Sequence, residues 1–333
     1  MLKIIEDFEY PIYITFCITS ICNSKCKHCS SSVAGKEDIS TEKIIEVLKD
    51  LKKCGVFNLA LSGGEPLLHP DFDLIAQTAV DLGLSTGVGT NGIVICEEVI
   101  EKIKQFKLDR VQISLDGSNA QTHDTFRGVQ GMFKESIRAI EMLVKSGIKT
   151  NVCMTPTRLN YKELEEVIDM SYNLGVNGFN LSQFVPMGKG MEELDLNVDE
   201  WKNVMEIWYT KKQKYLGSMK FTSHEAQLVT IDKSYEDMAG FRGCQAGIGN
   251  GCILSDGTVL PCVMLYEPLG NVNNALFSEI WKNSNVVKDL KNRNKLLGKC
   301  ERCKHIMKCG GCRAVALSKG GNIFASDPRC WVE

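Results

Sequence analysis

The chain has 333 residues, with 39 Lys and Arg against 41 Asp and Glu, which gives a formal net charge of −2. Hydrophobic residues make up 44% and charged residues 24%, a mix typical of a folded globular protein. No segment clusters Lys and Arg densely, and no run of 18 apolar residues occurs, so we expect neither a nucleic-acid partner nor a membrane partner. The acidic start MLKIIEDFEY is unlike a secretory signal, which predicts a soluble, cytoplasmic protein.

Short β-branched runs alternate with helical patterns from residue 12 to about residue 185. The predicted strands are 12–18, 57–62, 84–89, 110–115, 148–154 and 177–182. Amphipathic helices are predicted between them, including 41–53, which Ser40 is placed to cap, and 131–147. Four helices are expected to end in a glycine, which closes a helix in the left-handed conformation: Gly55, Gly83, Gly147 and Gly175.

Repeated strand–helix units predict a parallel sheet, because right-handed crossovers place each new strand beside the last. Six units form either an open, partial (β/α)6 TIM-like barrel or a doubly wound sheet. Both architectures bind ligands at the carboxyl ends of the strands. The α/β class is therefore predicted, with a site at that edge.

The chain changes character after the sixth strand. Residues 188–240 begin with a glycine-rich turn and contain a predicted helix at 198–216, but no motif that we can assign. Beyond residue 244 the sequence is rich in Cys, Gly and turns, which predicts a small domain held together by metal. We therefore expect a barrel over 1–190, a helical linker over 191–240 and a Cys-rich domain over 241–333.

Fifteen cysteines are unusual for a chain without a secretory signal, because thiols in a reducing compartment stay reduced or bind metal. Eleven of them fall into two groups with close spacing. The other four lie in apolar neighbourhoods and are interpreted as small buried side chains: Cys17, Cys54, Cys96 and Cys153.

The first group, Cys22-x3-Cys26-x2-Cys29, follows the first predicted strand. Three thiolates suggest a metal centre with one open position, either an iron–sulfur cluster or a zinc site with a distant fourth ligand. The next strand leads into Ser62-Gly63-Gly64-Glu65-Pro66, where exposed backbone and a carboxylate would suit a cationic amino group.

Together these two motifs resemble the radical S-adenosylmethionine (SAM) superfamily over residues 10–187. The resemblance implies a [4Fe–4S] cluster on Cys22, Cys26 and Cys29 whose open iron binds SAM. Reductive cleavage of SAM would give a 5′-deoxyadenosyl radical that abstracts hydrogen from a substrate. The resemblance also places His28 against the adenine and makes Arg127 a candidate partner of the SAM carboxylate. The full set of implied SAM contacts is His28, Gly63, Gly64, Glu65, Pro66, Thr90, Asn91, Ser114, Asp116 and Arg127.

The second group consists of eight cysteines: Cys244, Cys252, Cys262, Cys300, Cys303, Cys309, Cys312 and Cys330. Its pattern resembles the SPASM extension of peptide-modifying radical SAM enzymes. Two residues, Gly310 and Gly311, separate its last two clustered cysteines, where three are commoner. The resemblance implies two further [4Fe–4S] clusters, with two zinc ribbons as the alternative. The implied ligands of the first are Cys244, Cys252, Cys262 and Cys312; those of the second are Cys300, Cys303, Cys309 and Cys330.

The resemblance implies a radical SAM oxidoreductase with three [4Fe–4S] clusters and an electron donor such as flavodoxin or ferredoxin. We expect it to modify a ribosomally synthesised peptide (a RiPP precursor) by crosslinking, epimerisation or oxidation. The alternatives are radical decarboxylation or another modification of a tetrapyrrole or small molecule, and a non-catalytic iron–sulfur electron carrier. Sulfatase-maturing relatives carry an aspartate where this chain has Val263, so formylglycine formation is not expected.

Two further expectations concern the substrate. The first strand is predicted to begin at residue 12, which leaves no room for a leader-binding domain before it, so a separate leader-binding protein or direct docking is expected. Cys96 and Cys153 lie near predicted strand ends or loops and are candidates for donating hydrogen to a substrate radical.

Overall fold

A computed structural model describes residues 8–35, 37–223 and 226–332 of the chain. Most of the acidic start used in the sequence analysis, residues 1–7, lies outside the described residues. The strands are β1 Tyr13–Thr19, β2 Asn58–Gly63, β3 Ser85–Thr90, β4 Arg110–Ser114, β5 Thr150–Met154, β6 Gly178–Leu181, β7 Lys220–Ser223, β8 Asn250–Ile253, β9 Thr258–Leu260 and β10 Gly270–Asn271.

Helices connect and cover these strands. They are α1 Thr41–Lys53, α2 Phe72–Asp81, α3 Glu97–Phe106, α4 Ala120–Arg127, α5 Met132–Lys145, α6 Leu164–Asn173, α7 Val198–Lys214, α8 Leu228–Ile231, α9 Ser234–Asp237, α10 Phe277–Asn283, α11 Asn285–Lys291 and α12 Arg313–Gly320. Short 3-10 turns occur at Ser31–Val33, Pro66–Leu68, Tyr161–Glu163, Glu192–Leu194 and Arg293–Lys295. None of the helices in the described part of the chain has the length and apolar character that crossing a bilayer requires.

The ten strands form one sheet in the order β10-β9-β8-β1-β2-β3-β4-β5-β6-β7. Strands β1 to β7 are parallel and follow chain order, so each crossover adds the next strand at the same edge. A doubly wound sheet would reverse its strand order within these crossovers, and strands β1 to β7 show no such reversal. The six predicted strands and the partial TIM-like barrel are therefore confirmed.

Local sequence signals explain the barrel's helices. Helix α1 begins where predicted, because the Ser40 hydroxyl accepts a hydrogen bond from the Lys43 backbone amide at 3.3 Å. Each of the four predicted closing glycines has a positive φ, between 72° and 79°. Strand side chains such as Ile14, Phe16 and Val111 are fully buried in the main apolar core, which also includes helix residues.

The structure adds four strands that sequence patterns did not predict, β7 to β10, and two of them extend the parallel part of the sheet. Strand β7 lies inside the segment predicted as a helical linker and pairs in parallel with β6. Strand β8 comes from the Cys-rich region and pairs in parallel with β1, with Tyr13 opposite Asn250. The division of the chain into three segments stays a prediction, but the sheet itself continues across the third one.

The region after residue 244, which the sequence predicts to be held together by metal, also packs through apolar side chains around α10. Phe277 and Trp281 are almost fully buried and belong to the main core. Helix α10 packs against α1, and Asp50 of α1 accepts hydrogen bonds from the Ser278 backbone amide at 2.9 Å and the Ser278 hydroxyl at 3.1 Å. This part of the C-terminal region is therefore anchored to the barrel by ordinary packing.

Candidate functional site

A cavity of about 620 Å³ occupies the barrel interior and extends from strand starts such as Tyr13 and Arg110 to the loops that follow the carboxyl ends of β1, β2 and β3. Strand residues that face it are small or polar, whereas their neighbours on the other face are apolar and buried, so the interior is hollow rather than packed. One part of its wall carries the first cysteine group, Cys22, Cys26 and Cys29. Another part carries Cys244, Cys262 and Cys312.

The loop that carries the first cysteine group is held by the end of α4. Lys25 and Lys27 donate backbone hydrogen bonds to the carbonyls of Arg127 and Phe126, both at 3.0 Å. Burial raises the pKa of the Cys22 and Cys29 thiols, so a bound metal cation would be needed to keep them as thiolates at neutral pH. Three sulfur donors on one loop beside an open cavity fit a cluster with one free iron.

The glycines of the second motif are required by close backbone contact. Gly63 has a φ of 135°, and a Cβ there would come within 2.3 Å of the Thr19 carbonyl oxygen. A Cβ at Gly64 would come within 2.2 Å of the Ile21 carbonyl oxygen. The glycines thus let this loop dock onto the segment that leads into Cys22, and both line the cavity.

Glu65 and Pro66 lie behind the cavity wall rather than on it. The fully buried Glu65 carboxylate accepts hydrogen bonds from the backbone amides of Asn91 at 2.8 Å and Leu67 at 3.3 Å. Burial raises the pKa of Glu65, and these bonds oppose that rise. The carboxylate therefore joins the loops after β2 and β3, and its contact with an amino group of SAM stays a prediction.

Asp116 and Arg127 form a buried ion pair next to the first cysteine group. Asp116 accepts a hydrogen bond from Nε of Arg127 at 2.6 Å and one from the Thr155 backbone amide at 2.8 Å. Burial alone would raise the pKa of Asp116, but the Arg127 guanidinium, the two nearby histidines and the Thr155 hydrogen bond together outweigh it and hold that pKa below its usual range. The Arg127 Nη1 atom lies 3.6 Å from the Cys26 sulfur, so a positive charge faces the first cysteine group.

The other predicted SAM contacts are brought together at the cavity. Thr90, Asn91 and Ser114 line it, whereas Asp116 does not. The His28 ring stacks on Phe126, with ring centres 4.3 Å apart. Burial lowers the pKa of His28 to about 4, so its ring is neutral at pH 7. Its Nδ1 atom is buried and has no hydrogen-bond partner within the described part of the chain.

Cys252 has a partner that the sequence analysis missed. It is fully buried and shares a hydrogen bond with Cys17, which raises the pKa of the Cys252 thiol together with burial. Strand β8 places Cys252 opposite Thr15 of β1, two residues before Cys17. No local pattern could have shown this pair, because it depends on the pairing of two strands from distant parts of the chain.

The cysteines after residue 244 fall into two auxiliary sets, named after the two further clusters that they are predicted to bind: the first set is Cys244, Cys252, Cys262 and Cys312, and the second set is Cys300, Cys303, Cys309 and Cys330. The second set lines its own small cavity of about 30 Å³. This grouping follows the predicted ligand assignment, in which Cys309 and its near neighbour Cys312 belong to different sets. Over residues 8–35, 37–223 and 226–332, no three His, Cys, Asp or Glu side chains converge closely enough to hold a single metal ion.

The remaining cysteines differ from one another. Cys96 is exposed, so its interpretation as a buried side chain is wrong, and it does not line the cavity. Cys54 is half-buried. Cys153 lines the cavity, and its sulfur accepts a hydrogen bond from the Asn180 side-chain amide at 3.3 Å.

Comparisons with known proteins agree with this geometry. Residues 16–171 match the Radical SAM superfamily model, and residues 244–304 match the SPASM model, an iron–sulfur cluster-binding domain. The chain is 30% identical to an AdoMet-dependent heme synthase from Methanosarcina barkeri, over 96% of each protein. It is 29% identical to the mycofactocin maturase MftC from Mycobacterium tuberculosis, over 98% of this chain and 86% of that protein.

A solved structure shows the same fold. SuiB from Streptococcus suis, bound to S-adenosylmethionine, aligns with a TM-score of 0.80 at 19% identity, over 99% of this chain and 80% of SuiB. The two family matches together imply iron–sulfur clusters and SAM as cofactors. On these grounds the chain belongs to the radical SAM superfamily and is a radical SAM enzyme with a C-terminal SPASM domain.

Proposed function

We propose that this enzyme oxidises a peptide substrate held in the large cavity, using three [4Fe–4S] clusters and SAM. One observation carries the proposal: Cys22, Cys26 and Cys29 share a single cavity with Cys244, Cys262 and Cys312. A substrate there would lie between the site of hydrogen abstraction and a site that accepts an electron. The first cluster and SAM, when bound, supply the 5′-deoxyadenosyl radical, and flavodoxin or ferredoxin supplies the electron.

The overall reaction balances as an oxidation. The substrate would lose one hydrogen atom to the 5′-deoxyadenosyl group. It would then lose one electron to the auxiliary cluster whose proposed ligands Cys244, Cys262 and Cys312 line the cavity, and one proton to solvent. Arg127 keeps its charge beside Cys26, because Asp116 and Cys26 outweigh the effect of burial and raise its pKa. The chain thus holds one fixed positive charge where the anionic cluster and the SAM carboxylate would lie.

The chemistry of the cavity wall favours a peptide over a strongly acidic substrate. Its polar side chains are mostly neutral amides and hydroxyls, which suit the amide groups of a peptide: Gln112, Asn180, Ser182, Gln183, Gln245 and Asn250. Arg110 and Arg127 are the only Lys or Arg among its described lining residues, and Arg127 is already paired with Asp116. A separate leader-binding protein is compatible with this arrangement and remains part of the proposal.

A second candidate is modification of a tetrapyrrole. It is favoured by the names of two relatives, the AdoMet-dependent heme synthase and the Fe-coproporphyrin III synthase from Methanosarcina barkeri; the latter is 28% identical over 95% of this chain and 86% of that protein. Arg110 would then be the guanidinium available to a substrate carboxylate, and decarboxylation would be the expected reaction.

One experiment separates these functions. The anaerobically reconstituted enzyme is incubated with SAM, reduced flavodoxin and either precursor peptides encoded near its gene or Fe-coproporphyrin III, and the products are analysed by mass spectrometry. We expect a peptide product that has lost two hydrogens and one 5′-deoxyadenosine for each product. Loss of carbon dioxide from the tetrapyrrole, abolished by Arg110→Gln, would instead establish the second candidate. A reduced enzyme that never cleaves SAM would be an electron carrier.

A further inference from the structure

The two glycines between Cys309 and Cys312 make room for two buried arginines. Gly310 and Gly311 have φ values of 70° and 59°, a conformation that favours glycine. A Cβ at position 310 would come within 2.0 Å of Nη1 of Arg293, and one at position 311 within 2.5 Å of Nη2 of Arg313. The turn that joins the two auxiliary sets is therefore packed directly against two guanidinium groups.

Arg293 lies where the two auxiliary sets meet. Its side chain is 4% exposed, and its Nη2 atom donates hydrogen bonds to the carbonyls of Arg242 at 2.9 Å and Cys244 at 2.7 Å. The Cys244 backbone amide in turn donates to the Cys309 carbonyl at 3.0 Å. Cys244 belongs to one set and Cys309 to the other, so the guanidinium contacts the backbone that links them.

The charge of Arg293 has no counterpart among the described residues. No Asp or Glu in this part of the chain forms an ion pair with it, and its buried Nε atom has no hydrogen-bond partner there. A buried guanidinium without a negative partner is costly, and arginine does not lose its proton in proteins. The chain therefore retains a buried positive charge that only a bound anionic group would compensate.

Arg313 differs from Arg293 because the cysteine sulfur that its guanidinium contacts belongs to the second set. Its Nη1 atom donates hydrogen bonds to the carbonyls of Ile323 at 2.8 Å and Ala325 at 2.7 Å, and its Nη2 atom lies 3.9 Å from the Cys300 sulfur. It is 1% exposed. The two arginines thus provide a comparison between a charge near one auxiliary site and a charge between both.

We propose that Arg293 is a shared counter-charge that raises the reduction potentials of both auxiliary clusters. The proposal rests on the assignment of two auxiliary clusters made above. A cluster becomes more negative when it gains an electron, so a fixed positive charge stabilises its reduced state, and net charge near a cluster is one determinant of its potential. Arg293 is in this sense a positioning residue, since it acts on the electron acceptors and does not touch the substrate.

The test uses the full-length chain with Cys22, Cys26 and Cys29 all changed to Ala, so that only the auxiliary clusters contribute. Iron is counted first, with about eight irons expected, and the midpoint potentials are then measured by redox titration followed by electron paramagnetic resonance. Arg293→Gln should lower both potentials, each by about a tenfold change in the reduction equilibrium, or ~59 mV. Arg313→Gln should lower only one.

Lys295→Gln is the matched control, because Lys295 lies in the same 3-10 turn but is 45% exposed and pairs with Asp289. It should leave both potentials unchanged. An Arg293→Gln variant with full iron and at least one unshifted potential would overturn the inference. If Arg293→Gln loses iron, the Arg293→Lys variant is measured instead. Retained iron and unchanged potentials in Arg293→Lys would support a role for the positive charge. Loss of iron in Arg293→Lys would show that Arg293 acts through its hydrogen bonds and would overturn the inference. An iron count well below eight in the starting protein would contradict the assignment of two clusters itself.

Discussion

The barrel and the last segment of the chain, residues 296–332, bury different kinds of side chain. In the barrel, strands and helices bury a continuous apolar core that includes Phe16, Leu61 and Val111. In the last segment the buried side chains include three cysteines and two arginines: Cys300, Cys309, Cys312, Arg313 and Arg329. The stretch around β8 and α10 belongs with the barrel in this respect, because its apolar residues join the main core.

This difference indicates that a bound iron–sulfur cluster would contribute little to the stability of the barrel but much to the stability of the last segment. The loop from Cys22 to Cys29 is attached to a sheet that is complete without it. The cysteines after residue 296 are themselves a large part of what is buried there, so their ligand bonds would replace apolar contacts. Losing a cluster should therefore cost function in the first region and the fold in the second.

The largest expected effect is on catalysis. Replacing Cys22, Cys26 and Cys29 together by Ala should remove about four of about twelve irons and all SAM cleavage, because these thiols are the proposed ligands of the first cluster. The thermal unfolding of the barrel, followed by circular dichroism, should change little. Loss of eight or more irons, or persistent cleavage, would show that the cysteine sets are wrongly assigned.

Cys312→Ala should have the largest effect on the fold of the C-terminal region. From the sequence alone, the variant is expected to be sensitive to proteases everywhere beyond residue 240. Because β8 and α10 pack into the main core, we expect the cleavage sites to lie only in the segment after about residue 296. Limited proteolysis of the anaerobically purified variant, with fragment masses, is the measurement. Cys54→Ala, at a half-buried cysteine outside both groups, is the control. A variant as resistant as the wild type would mean that packing holds this segment.

Asp116→Asn should show that the barrel depends instead on its own buried ion pair. The variant leaves Arg127 without its partner, so we expect a loss of about 3–5 kcal/mol in the free energy of unfolding. The pKa of Asp116 is lower in the folded state than in the unfolded state. The ionised carboxylate therefore stabilises the fold fully at pH values above its unfolded-state pKa, and this stabilisation is lost as the pH falls through the folded-state pKa. Denaturant titrations at neutral and acidic pH, with the exposed Asp81→Asn as control, should show a difference that shrinks in acid.

The smallest expected effect is at Cys153, on the cavity wall. Burial raises the pKa of its thiol to about 12, so it remains an S–H group at neutral pH. For the proposed oxidation, Cys153→Ala should change product formation by no more than about twofold. Turnover in deuterated water is the check. Deuterium at the substrate α-carbon, together with loss of turnover but not of SAM cleavage in the variant, would instead identify an epimerase with Cys153 as hydrogen donor.

Much of the barrel could be predicted from sequence because its signals are local. The six predicted strands stand out because they alternate regularly with helical patterns, and Ser40 and Gly55 mark helix ends through their own backbone chemistry. Strands β7 and β8 lie outside this regular alternation of strands and helices. They exist because neighbouring strands offer unpaired backbone groups, which no short window of sequence reveals.

The sequence by itself determined the cysteine groups, the glycine motif and the alternation of strands with helices, since each depends on a pattern that is local in the chain. The tertiary structure alone decided which distant side chains meet. It paired Cys17 with Cys252, turned Glu65 away from the cavity, and set Arg293 against Gly310. The physical reason is that strand register and close packing join residues far apart in the chain, and they do so only once the whole sheet has formed.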